Sequence, residues 1–136
     1  MHLDLKVLFV CYGNAFRSPV AEALLKKLRP DIDVDSAGVH PAIPIADSAR
    51  RYLAKENAAN YLKKTPESLD EKLLSKYDLI VAMEPGHREE VLRRCPECAA
   101  KTVVWNIADP YFMPPGAGER IFNQLRRKVE ELAVSL

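Results

Sequence analysis

The sequence predicts an α/β fold: one domain over residues 1–136, built on a four-stranded parallel sheet with helices on both faces. Three observations predict it. Short apolar runs at 7–10, 32–35, 77–83 and 101–105 alternate with stretches of helical period, and such alternation joins strands through right-handed crossovers into a parallel sheet. The run 77–83 is apolar on both faces, as a central parallel strand must be. The first strand also passes straight into a helix through a turn containing Gly13 and Asn14, a junction that lies at the carboxyl edge of such a sheet, where ligands bind.

Composition narrows the function classes. With 136 residues, 48% of them hydrophobic, the chain can bury one proper core. Lys plus Arg is 20 against Asp plus Glu 19, a formal charge of +1. No bulk field therefore favours nucleic acid or an anionic membrane, and any anion selectivity must be local. No apolar run reaches transmembrane length and residues 1–10 show no signal pattern, so a soluble, cytoplasmic protein is expected. Three cysteines are too few for a disulfide scaffold, and a nucleophilic thiol would prefer a reducing compartment.

Each element has its own warrant. A helix follows 11–18 with Pro19 in its first turn and Val20, Leu24 and Leu28 on one face, ending at Arg29-Pro30. Ile32 to Asp35 alternate like a strand, and Ser36-Ala37-Gly38 reads as a turn. Prolines make 40–44 a stiff loop. Ile45, Ala49, Tyr52 and Leu53 form the stripe of the next helix, over 45–56. A basic connection, Lys63-Lys64-Thr65, leads to a short helix opened by Pro66-Glu67 with Leu69, Leu73 and Leu74 inside. The third strand ends at Glu84-Pro85-Gly86, a helix over 87–94 carries Val91 and Leu92, and Cys95-Pro96-Glu97-Cys98 precedes the fourth strand. The closing helix, 119–136, buries Ile121, Leu125, Val129 and Leu132, with Arg126-Arg127-Lys128 mainly on its wet side.

The chemistry concentrates in 11–18, Cys-Tyr-Gly-Asn-Ala-Phe-Arg-Ser. A strand-to-helix turn points backbone N–H groups outward under the positive end of a helix, which makes Tyr12, Gly13, Asn14, Ala15, Phe16, Arg17 and Ser18 a cradle for a doubly charged oxyanion. Cys11 stands at its mouth, where the same field and a nearby guanidinium favour the nucleophilic thiolate. Arg17 can grip two phosphoryl oxygens with its planar fork. Ser18 can donate its hydroxyl to the thiolate, Gly13 permits close backbone approach, and Asn14 tolerates a left-handed turn position. The bland alternative, a buried cysteine in a glycine turn, leaves Arg17 and Ser18 without a reason. Asp109 opens the loop after the last strand, so it can return to the rim that carries Cys11. A thiolate that attacks a phosphate monoester must expel an alkoxide or phenoxide, and Asp109 can supply the proton, then take one from the hydrolytic water.

In the form Cys-x-Gly-Asn-x-x-Arg-Ser-Pro, a dozen residues from the N-terminus, the sequence resembles the low-molecular-weight protein tyrosine phosphatases. That resemblance implies strand order 2-1-3-4, Cys11, Arg17 and Asp109 as catalytic residues, and Asn14, Ser18 and Ser36 as supports of the anion loop. It makes 40–44 one wall of a cleft in which Tyr111, beside the Asp109-Pro110 pair, stacks on a phenyl ring. The implied substrate is a phosphotyrosine protein or small aryl phosphate, with no cofactor, no metal, no nucleic acid or membrane partner, and a monomer or weak dimer as the working state. Two features depart from it. Phe16 stands where many relatives have a second cysteine, and no histidine occupies the connection that often supports the loop. Arsenate reductases on this scaffold begin with a cysteine where Glu84 stands.

Two other readings follow. An arsenate reductase would use Cys11 with Cys95 and Cys98 as a redox relay, although the pair should lie on the rim opposite Cys11. A non-catalytic phosphate-binding module would hold zinc on Cys95, Cys98 and His87.

Overall fold

A computed structural model describes residues 5–136, apart from the side chain of Phe112. The domain read over 1–136 is therefore seen from Leu5 onward. Strands β1 (Lys6–Cys11), β2 (Asp33–Gly38), β3 (Leu79–Ala82) and β4 (Thr102–Val104) form one parallel sheet in the order β2-β1-β3-β4. The helices are α1 (Arg17–Leu28), α2 (Asp47–Lys55), α3 (Pro85–Arg94) and α4 (Ala117–Ser135).

The period of two in β1 explains the two cores. Val7, Phe9 and Cys11 face the layer that holds Val20 and Leu24 of α1, Leu53 of α2 and Leu125 of α4; Leu8 and Val10 face Val91 of α3, Leu69 and Leu74. Every side chain from Val7 to Cys11 is buried, as expected of a strand covered on both faces. Register then sets the site: Cys11 pairs with Gly38 and Val10 with Ala82, so the carboxyl ends of three strands meet on one rim.

Four details differ from the sequence reading. Residues 66–74 form no helix but two 3₁₀ turns, Leu69–Glu71 and Leu74–Lys76. Lys72 and Leu73 between them are extended, with ψ of 137° and 92°, because the Lys72 ammonium is drawn to Asp35 and Glu67. Leu73 consequently stands 65% exposed while Leu69 and Leu74 are buried. Ser36, Ala37 and Gly38 finish β2 rather than making a turn. Leu28 is exposed, and α1 is instead buried all round from Arg17 to Leu25, wedged between sheet, α2 and α4. In the basic run of α4 only Arg127 is exposed; Arg126 and Lys128 are half-buried, the latter lying over the Trp105 ring.

Cys95 and Cys98 form a disulfide with Cα atoms 5.4 Å apart. Both are buried among Leu8, Ile80 and Val91. The zinc reading is corrected by this bond, because sulfurs joined to each other are not thiolate ligands.

Candidate active site

The turn between β1 and α1 is held in one shape by a polar cluster. Asn14 takes the left-handed conformation, φ 54°, which costs little for asparagine and more for most residues. Its buried amide is fully used: Nδ2 donates to Ser18 Oγ (2.7 Å) and Ser36 Oγ (3.0 Å), while Oδ1 accepts from Lys63 Nζ (3.0 Å) and the Glu67 N–H (2.8 Å). The Cys11 sulfur lies 2.9 Å from Ser18 Oγ and accepts the Asn14 N–H at 3.2 Å. Asn14, Ser18 and Ser36, read together from the sequence, thus form one hydrogen-bonded cluster, of which Ser18 and the Asn14 N–H touch the Cys11 sulfur.

Within the protein itself, close approach is required at Gly38. A Cβ on Gly38 would lie 2.8 Å from Asn14 N and Gly13 C and 2.9 Å from Tyr12 O, whereas one on Gly13 would meet nothing within 4 Å. The end of β2 therefore presses directly on the anion loop, and the Val39 and His40 N–H groups donate to the Cys11 and Tyr12 carbonyls.

Arg17 is buried at the start of α1, with its guanidinium reaching the rim. Nη1 donates to the Ile107 carbonyl at 2.7 Å and to Glu84 at the head of α3; Nη2 lies 3.6 Å from Asp109 Oδ2. Asp109 reaches back across the sequence as its loop position requires, and its Oδ1 caps the Tyr111 N–H at 3.0 Å. Asp109 is 44% exposed, open to a ligand and to water. His87, in the first turn of α3, is buried with no partner for Nδ1 among the described residues. Burial first, then the Arg17 charge, push its imidazole below the ordinary range, opposed by Glu84 and Asp109, so it is neutral at pH 7.

The mouth is aromatic. Tyr12 is exposed and its ring lies 5.8 Å from His40 in the proline loop. Tyr111 is exposed beside Asp109. Phe16 is buried, edge-on against Tyr52.

Cys95 and Cys98 lie elsewhere. Thr102, the first residue of β4, donates its hydroxyl to the Cys98 carbonyl at 2.8 Å, and Lys101 reaches the Ser75 carbonyl before β3. The pair thus sits at the amino ends of strands, and Cys11 at the carboxyl end of β1.

Sequence reasoning missed Lys63, Glu22, Glu84 and Gly38. One signal was available for Glu22: a lone carboxylate in Val-Ala-Glu-Ala-Leu is out of place in an apolar stretch unless a partner awaits it. In the fold its buried oxygens take Ser36 Oγ (2.5 Å) and Lys26 Nζ (2.6 Å).

A parallel α/β sheet whose first strand–helix turn holds a cysteine, a left-handed asparagine and a buried arginine defines a thiol-bearing oxyanion site of the phosphatase class. The chain belongs to the low molecular weight phosphotyrosine protein phosphatase family, whose sequence model matches residues 6–136. It is 34% identical to the low molecular weight protein-tyrosine-phosphatase Etp of Escherichia coli K12, over 96% of this chain and 93% of that one. Among solved structures, Vibrio vulnificus Wzb in complex with benzylphosphonate matches with a TM-score of 0.85 and 32% identity, over 97% and 99% of the two chains. The YwlE arginine phosphatase from Geobacillus stearothermophilus matches with a TM-score of 0.83 and 28% identity, over 96% and 92%.

Proposed function

We propose that this chain hydrolyses phosphotyrosine or other aryl phosphate monoesters through a cysteinyl-phosphate intermediate. The observation that carries the proposal is the convergence of the Cys11 sulfur, the Arg17 guanidinium and the Asp109 carboxylate on one rim.

The phosphoryl oxygens take the N–H groups of 12–18 and the Arg17 fork, which leaves Glu84 for the substrate. The Cys11 thiolate, accepting from Ser18 and the Asn14 N–H, attacks phosphorus. An S–P bond forms and the P–O ester bond breaks as Asp109 gives its proton to the departing phenolate oxygen. In the second half Asp109 takes a proton from water, whose oxygen displaces sulfur and releases inorganic phosphate. The leaving phenyl ring sits between the Tyr12–His40 pair and Tyr111, where aromatic faces give area burial and stacking. No step calls for a cofactor or metal.

The proposed setting is cytoplasmic and the partner a phosphotyrosine protein, handled by a monomer or weak dimer. Among the described residues no helix is long and apolar enough to cross a membrane, and a thiolate nucleophile favours a reducing compartment. The buried Cys95–Cys98 bond runs against that setting.

Arsenate reduction is the weaker reading. A relay needs cysteines that can bring their Cα atoms within about 7 Å of Cys11's, whereas this pair is joined at the other ends of the strands. The Geobacillus relative's name raises phosphoarginine as a rival substrate; the aromatic mouth favours an aryl group. Parallel assays of para-nitrophenyl phosphate, a phosphotyrosine peptide and phosphoarginine, with chelator present, test the proposal. It requires turnover of the first two, and exclusive turnover of phosphoarginine would overturn it.

A further inference from the structure

Lys63 comes from a segment with no catalytic signature, yet it lies under the anion loop with its side chain only 9% exposed. Its ammonium donates to Asn14 Oδ1 (3.0 Å), the Ser36 carbonyl (2.8 Å), Ser36 Oγ (3.2 Å) and Glu67 Oε1 (3.1 Å), and lies 3.9 Å from Glu22 Oε1. The chain around it is strapped to the same place. Gly38 N–H donates to the Glu67 carbonyl at 2.9 Å, and Gly38 bridges Ser68.

The chemistry of these donors has a direction. An ammonium donates and never accepts. With Lys63 Nζ and the Glu67 N–H both pointing at one atom of the Asn14 amide, that atom must be the oxygen, and Nδ2 must face Ser18 and Ser36. Ser18 Oγ then receives a hydrogen from Asn14 at 2.7 Å, which leaves its own hydrogen for the Cys11 sulfur at 2.9 Å. Ser36 Oγ receives from both Asn14 and Lys63 and so gives its hydrogen to Glu22 Oε1. Glu22 and Glu67 balance the buried charge, which would otherwise be costly.

We propose that Lys63 is a positioning residue that fixes the polarity of this network: it holds the Asn14 amide one way round, so that Ser18 always donates to the Cys11 thiolate and the loop keeps its anion-binding shape. The role rests on the reading of 11–18 as a phosphate cradle. Lys63 touches neither sulfur nor substrate and acts through Asn14.

The test is a cycle on Lys63→Met, Asn14→Ala and the double variant, with inorganic phosphate affinity by calorimetry, kcat and KM for para-nitrophenyl phosphate, and the rate of iodoacetate alkylation at mildly acidic pH. With Cys95 and Cys98 bonded to each other, alkylation reads Cys11 alone. Lys63→Met is expected to weaken phosphate binding and slow alkylation about tenfold each, the size of one charge-assisted hydrogen bond. Added to Asn14→Ala it should cost less than about twofold more, because the two act as a unit. Lys63→Gln carries the same cycle if the methionine variant does not fold. Unchanged phosphate affinity and alkylation in a variant of lowered Tm overturn the proposal, as does full multiplication of the two losses. Wild-type protein that binds no phosphate overturns the cradle itself, and this role with it.

Discussion

Arg17 Nη2 lies 3.6 Å from Asp109 Oδ2, across 92 positions of sequence, and ties the anion loop to the loop after β4. In the proposed mechanism, the guanidinium that takes phosphate is thus already next to the group that protonates the leaving oxygen, and a phosphoryl group between them would bring its ester oxygen under Asp109.

Asp109→Asn should therefore lower kcat by about 10²–10⁴, most for phenols that are poor leaving groups and least for nitrophenols that depart unaided. A leaving-group series for wild type and variant measures the dependence. A loss equal across the series would make Asp109 a structural carboxylate.

Gly38→Ala inserts a methyl group 2.8 Å from the backbone of the anion loop. Overpacking of this kind typically costs about 1–3 kcal/mol; here the yielding element is the loop itself. The variant is expected to fold with lowered stability and to bind phosphate more weakly, whereas Gly13→Ala, with open space around it, should cost less on both counts. Urea unfolding and phosphate calorimetry on the two variants make the comparison, and equal losses would refute the assignment of close packing to Gly38.

Replacing Cys95 and Cys98 by serine should leave hydrolysis of aryl phosphates unchanged, since neither lies at the rim of Cys11. Loss of a bond across so short a loop should cost about 2 kcal/mol of stability. Wild-type protein supplied with arsenate and a thioredoxin system should show little reduction. Brisk reduction abolished in the double variant would mean that the segment after α3 reaches the anion loop.

Acid should dissolve the cluster that joins β2 to the 3₁₀ turns. Burial alone would raise the Asp35 carboxyl, but the Lys72 ammonium and the Ser36 N–H outweigh it and hold Asp35 below the ordinary range. Glu67 is likewise held low against its burial by Lys72 and Lys63. Carboxyls depressed in the fold contribute stability above their unfolded values, about 3.9 and 4.3, and lose it as pH falls through their lower folded values. Lys72→Met should thus be most destabilising near neutral pH, with the gap to wild type closing as pH drops below about 4. Urea unfolding of both proteins from neutral to acid pH would show it; a constant gap would contradict it.

Most of the fold and the grouping of the candidate site residues were legible because they are written in local pattern. A strand of period two, a glycine–asparagine turn and a helix opened by proline placed Cys11, Arg17 and Ser18 together, and the convergence of strand ends placed Asp109 with them. Lys63 was not legible. A lysine four residues before a glutamate looks like a solvated pair, and only the return of 63–68 under the anion loop turns it into a buried donor. Leu69, Leu73 and Leu74 carry helical spacing, yet Lys72's two carboxylates set the backbone there. The Cys95–Cys98 bond depends on how α3 ends, which spacing alone does not fix.

The central claim is that Cys11 carries the phosphoryl group. Rapid mixing of wild-type protein with para-nitrophenyl phosphate, followed by acid quench and mass measurement, should trap a phosphate on the peptide containing Cys11. In Cys11→Ser, turnover should fall by several orders of magnitude while tungstate or sulfate still binds by calorimetry, because the loop N–H groups and Arg17 remain. A serine variant that keeps even about a tenth of the wild-type rate, far above the loss expected when a nucleophile is removed, would contradict the account.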